Sequence, residues 1–131
     1  MNDFLTEITT LLRSIHLESY HQMNPKKDIK YPYLTFNADV TGSGDYLDRN
    51  QEGITLELDI FGEGTSPRSV YDVEEAIKDE LIFRRSIDPD FWMVFTFQTA
   101  LTIPTLVDNL HRRNVVFYIK LDKRRKQYGT T

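Results

Sequence analysis

Residues 52–81 read EGITLELDIFGEGTSPRSVYDVEEAIKDEL, and this stretch decides the fold. Ile54, Leu56, Leu58 and Ile60 alternate with Thr55, Glu57, Asp59 and Phe61, the two-residue period of a strand with one buried face. Gly62-Glu63-Gly64 predicts the break, because glycine accepts the positive φ that a sharp reversal demands. Thr65 or Ser66 is placed to accept a hydrogen bond from a free N–H at a helix start, and Pro67 suits the first helical position. Val70, Val73, Ile77 and Leu81 then recur at three- and four-residue spacing, which makes one apolar helical stripe. Strand, turn and helix form a scaffold with no evident chemistry of its own.

Working outward, Phe4, Leu5, Ile8, Leu11, Leu12 and Ile15 define an amphipathic first helix ending near Ser14 to His16, with Asn2 or Asp3 as its cap. Tyr31-Pro32-Tyr33 opens a strand in which Leu34, Phe36, Ala38 and Val40 alternate with polar residues. Between this strand and the next, residues 41–51 are small, polar and glycine-containing, as expected of a mobile hairpin loop. Beyond the second helix, residues 83–90 read as a break containing Pro89. Phe91 to Gln98 is a strand apolar on both faces over Phe91 to Val94, which predicts either a covered central strand or one facing a partner copy. Thr102 to Arg113 reads as a helical turn or lid loop, Val115 to Leu121 as the last strand, and 122–131 as a loose basic tail. The order α-β-β-α-β-β predicts a single α+β domain over residues 1–131. Its four-stranded, mainly antiparallel sheet carries the helices on one face.

Composition narrows the function classes. With 40% apolar and 27% charged residues the chain is globular rather than disordered. No apolar run is long enough to span a bilayer and no signal-peptide pattern opens the chain, which points to a soluble intracellular domain without membrane partners. The absence of cysteine removes disulfides and thiolate metal sites. His16, Glu18 and His21 have ligand chemistry but no helical spacing that would gather them, so they read as a polar connector. Asp39, Glu57, Asp59 and Glu63 resemble an acidic metal cluster, yet no lysine lies between Lys30 and Lys78 to assist it, and a solvated strand face is the simpler reading. Thr41-Gly42-Ser43-Gly44 is followed by a strand rather than a helix, so it is no phosphate cradle. No catalytic triad or nucleophile elbow is present, and the expectation is a protein that is not an enzyme and takes no cofactor or metal.

Charge is unevenly placed in a chain of net charge −4. Residues 39–80 hold twelve acidic side chains against three basic ones, whereas 111–131 hold seven basic against one acidic. Such segregation permits an acidic face on one copy to meet a basic face on the next. It also permits the alternative of a small nucleic-acid-binding module using the basic C-terminal segment, although the basic-Gly-aromatic signature of RNA-binding sheets is missing.

The opening helix, Tyr31-Pro32-Tyr33-Leu34, the strand-turn-helix from Gly53 to Leu81, and His111-Arg112-Arg113-Asn114 leading into Val115-Val116-Phe117-Tyr118 together resemble the tail-terminator and tail-to-head joining (tail completion) proteins of bacteriophages and prophages. The resemblance lies in organisation across most of the chain. It implies a structural virion assembly protein that forms a ring, usually a hexamer, and leaves open a monomer as the free form. Such a ring caps the tail tube and docks onto the head connector. The implied partners are further copies, a tail tube protein and a head connector protein, with nucleic acid met only in passage through the ring lumen. The implied location is the virion, and the host cytoplasm during assembly. On this reading the interface residues are Gly42, Ser43, Gly44, Asp45, Tyr46, Asp48 and Arg49 of the hairpin tip, and Arg112, Arg113, Lys123, Arg124 and Arg125 of the basic segment. Reversing charge at Arg112 and Arg113, or across Lys123–Lys126, is expected to weaken self-assembly. Light scattering checks this, and an unchanged oligomer distribution would refute it.

Overall fold

The computed structural model describes residues 2–16, 18–21, 30–43, 51–83, 86–88 and 91–123. Helix α1 spans Asn2–Ile15 and α2 spans Arg68–Phe83. The strands are β1 Ser19–His21, β2 Tyr33–Ser43, β3 Gln51–Glu63, β4 Ser86–Asp88, β5 Phe91–Ile103 and β6 Leu110–Lys123. They form one mixed sheet in the order β1-β2-β3-β6-β5-β4. The four long strands pair antiparallel with one another.

Strand β3 is the spine. Ile54, Leu56, Leu58 and Ile60 are all fully buried on the helix side. Leu34 and Phe36 of β2, Val115, Phe117 and Ile119 of β6, and Met93 and Phe95 of β5 extend that surface. Ile8, Leu11 and Leu12 of α1 and the Val70, Val73, Ile77, Leu81 stripe of α2 cover it. Each such aliphatic side chain contributes roughly 1.5–3 kcal/mol of burial free energy. Both helices therefore join one core on one face, and no helix among the described residues covers the other, hereafter the open face.

Ser66, not Thr65, caps α2: its Oγ accepts from the Arg68 N–H at 3.2 Å, while the Pro67 carbonyl accepts from Val70 and Tyr71. The two glycines before it do different work. Gly64, with φ of 135°, makes the reversal. Gly62 remains inside β3, paired with His111, where a Cβ would lie 2.6 Å from Ser69 Oγ and 2.7 Å from Val70 Cγ2. It is glycine because the first turn of α2 passes directly over it.

Several expectations need correction. The polar connector after α1 contains an edge strand, β1, parallel to β2. Ser19 is fully buried there and its hydroxyl donates to the His16 carbonyl at 2.6 Å, while Leu34 N–H donates to Glu18 O at 2.9 Å. Three residues are too few to show an alternation, and β4, inside the expected break at 83–90, escaped for the same reason. Among the described residues the sheet therefore has six strands rather than four. Thr102–Arg113 is no helical turn or lid: β5 runs to Ile103, β6 begins at Leu110, and the two make a hairpin. Its tip is closed by the Thr105 hydroxyl donating to the Leu110 carbonyl at 2.6 Å, with Asn109 at φ 63°. Finally, Thr41–Ser43 and Gln51 belong to strands paired as far as Ser43↔Glu52, and Asp122 and Lys123 belong to β6, so the expected loop and tail begin later. What remains of them, 44–50 and 124–131, lies outside the described residues.

Gly62→Ala is expected to destabilise the fold by about 1–3 kcal/mol, the usual cost of overpacking a filled site. Ser69→Ala is expected to be neutral or stabilising by up to about 1 kcal/mol, because Ser69 Oγ is buried without a hydrogen-bond partner. Combined, the second change should recover part of the first, measured as the coupling between single and double variants in urea unfolding.

Candidate interaction surface

Register decides where the charged residues go. Leu58 faces Val115 across the β3–β6 ladder, so Asn114 and Arg112 emerge on the open face beside Asp59 and Phe61. Arg113 emerges on the helix face. Two adjacent arginines thus serve opposite sides of one sheet.

On the open face Asp59 is largely buried. Its Oδ1 accepts from Arg112 Nε at 3.1 Å and from Asn114 Nδ2 at 3.1 Å. Asn114 also donates to Glu57 Oε2 at 2.9 Å. The acidic row of β3 is therefore not simply solvated, as the alternation alone implied, because β6 lies beside it and supplies donors. An aromatic stack continues from this cluster. Tyr33 and Phe61 stack with centroids 4.8 Å apart, Tyr31 tilts against Tyr33 at 5.3 Å, and the Arg112 guanidinium lies 5.5 Å from the Phe61 centroid. The Tyr33 phenol is raised by burial and by Tyr31, against the opposing charge of Arg112.

On the helix face Glu74 is 3% exposed and accepts from Arg113 Nε at 2.6 Å, with Lys78 Nζ at 3.0 Å from its other oxygen. Burial alone would raise this carboxyl. The hydrogen bonds and charges of Arg113 and Lys78 outweigh it and hold the group below its ordinary value. Arg113 also donates to Thr102 Oγ1 at 3.1 Å and lies over the Tyr71 ring, while Lys78 sits 4.3 Å from the Phe97 ring centroid. This cluster fastens α2 to β5 and β6.

Of the residues singled out for an interface, Gly42 and Ser43 end β2, Arg112 and Arg113 carry the internal pairs just described, and Lys123 ends β6. Gly44, Asp45, Tyr46, Asp48, Arg49, Arg124 and Arg125 lie outside the described residues. Arg112 and Arg113 do not form one basic patch, and reversing their charge tests the fold before it tests assembly. His16 and His21 are used structurally: the His16 ring meets the Pro32 carbonyl at 2.7 Å and His21 packs edge-on to Phe36. No group of three or more His, Asp or Glu able to hold a metal ion occurs among the described residues, and no helix there is long and apolar enough to cross a membrane.

A different surface lies along residues 91–107. From Phe91 to Val107 the sequence has seventeen residues without a single charge, in a chain that is 27% charged. Val94, Phe97 and Leu101 on β5 are 39%, 37% and 48% exposed, and Leu106 and Val107 at the hairpin tip are more exposed still. The missing charges were the available signal. They identify an uncharged, partly apolar margin along β5 and its turn.

No known family profile matches the chain, and no curated protein does. Among solved structures, the fold is similar to that of a chain in the virion of a native gene transfer agent (GTA) particle, with a TM-score of 0.67 at 14% sequence identity. The match covers 86% of this chain and 84% of that one. At this identity the likeness is one of fold.

Glu74→Gln is expected to cost about 1–3 kcal/mol at neutral pH, less than a fully enclosed pair because Arg113 and Lys78 keep some water. Because the folded carboxyl is depressed, its stabilisation is complete above the unfolded value near 4.5 and is lost as pH falls through the folded value. Urea unfolding from pH 7 to pH 3 should show the wild-type chain losing more stability than the variant over that acidic window.

Proposed function

We propose that this protein is a structural component of a virion, acting as a ring that caps a tail tube and joins the tail to the head connector. The observation that carries the reading is the coextensive fold match to a chain of a gene transfer agent virion, which spans nearly all of both chains rather than a shared fragment. The organisation of the sequence, from the opening helix to the final strand, supports the narrower assignment to tail completion. On this reading the role is non-enzymatic and exercised by surfaces. The ring is a hexamer, its partners are the tube and connector proteins, and DNA meets only its lumen. The tip residues Gly42–Arg49 and the basic segment from Lys123 face those partners. The protein resides in the virion and, during assembly, in the host cytoplasm.

Light scattering after size exclusion, over a concentration series, tests the reading. The expected result is a discrete species near six times 15.4 kDa at the upper concentrations. A chain that stays monomeric throughout yet binds duplex DNA with a steep salt dependence would overturn it in favour of a nucleic-acid-binding module.

A further inference from the structure

We propose that the outer edge of β5 is an interface between copies of this chain, at which the β2 edge of a second copy continues the sheet. The inference rests on the ring reading above and gives it a specific contact. Strand β4 pairs only with Phe91 and Trp92, so Met93–Ile103 has no neighbouring strand on that side among the described residues. Proteins guard such edges with charges, prolines or brevity, because the unpaired N–H and C=O groups accept another strand. None of these guards is present over Met93–Ile103, and the bulge between Phe97 and Thr99 interrupts the edge at one point only. An uncharged free edge of this length fits strand addition.

The occupant follows from the other margin of the same sheet. Strand β1 covers β2 only at Leu34–Phe36, leaving Asn37–Ser43 as a second edge without a neighbouring strand among the described residues. The two edges are unlike. Pairing them is a heterologous contact, which generates rings or filaments, whereas pairing like edges would end at a dimer. Charge points the same way. The open face carries exposed Asp39 and Glu57 on β2 and β3, and exposed Lys120 on β6, next to Val94 of β5. Joining β5 to β2 sets Asp39 of one copy two strands from Lys120 of the other. Joining β2 to β2 would bring two Asp39 strands together, and joining β5 to β5 would bring two Lys120 strands towards each other.

The chain contains no cysteine, so introduced thiols report without background. Asn37→Cys and Thr96→Cys, combined in one full-length chain and treated with a short bis-maleimide, are expected to give a covalent ladder beyond the dimer on denaturing gels. Either change alone should give little product. Val94→Lys with Leu101→Lys alters two exposed positions, so thermal unfolding should remain cooperative while the concentration needed for assembly rises at least about tenfold. A wild-type oligomer that persists in the lysine variant and gives no ladder would overturn this edge while leaving the ring reading standing. Efficient dimers from Thr96→Cys alone would replace it with a two-fold contact. A wild-type chain that is monomeric to its solubility limit would overturn both.

Discussion

The fold depends on one constraint: β3 must keep Ile54, Leu56, Leu58 and Ile60 on the same side while it is hydrogen-bonded on both edges. A slip of one residue would turn the whole row outward and expose Glu57 and Asp59 to the core instead. Every other element is arranged to hold that register. β2 and β6 pair along its two sides, and α2 returns immediately over its end because Gly62 leaves room. The Glu74 cluster then ties the helix to the neighbouring strands. Its carboxylate is well satisfied, so it costs little to bury, and removing a partner costs more than the pair contributes.

Where sequence periods were long, the structure was legible. The strand at 54–61, the stripe at 70–81 and the alternation at 34–40 each contain at least two full periods of their pattern, and each element stands where those patterns placed it. Elements of three residues contain no period at all. β1 and β4 are held by a neighbour and by side-chain contacts such as Ser19 to His16, which depend on the tertiary arrangement. The hairpin at 103–110 is masked in the sequence because Leu106, Val107 and Leu110 imitate a helical spacing. In the folded chain Leu106 and Val107 are exposed at a turn closed by Thr105, and only Leu110 returns toward the sheet.

The charged residues carry a related lesson. Counted along the chain, acids gather in the centre and bases near the end, which invites a picture of two opposed faces. Folding interleaves them. β3 and β6 lie side by side, so Asp59 meets Arg112, and Glu74 meets Arg113 from the helix above. Much of the segregation is thus consumed within one chain, and what is left on the open face is a shallow gradient from Asp39 to Lys120. The surface proposed above for association is the one without charge, and it is legible in the sequence only as an omission.

The bulge between Phe97 and Thr99 has an evolutionary consequence. Before it, odd-numbered residues of β5 face the core; after it, Thr99 pairs with Val116 on the open side, so Leu101 and Ile103 emerge there and Thr102 turns toward Arg113. Removing a single codon at Gln98 would restore strict alternation. Both halves of the strand would keep their faces, because Thr99 already pairs with Val116 directly beside the Phe97–Phe117 pair; what would go is the unpaired residue and the local kink it imposes. A lineage carrying this fold can therefore gain or lose the kink in this strand through a change of one residue in length that leaves both faces and the core in place.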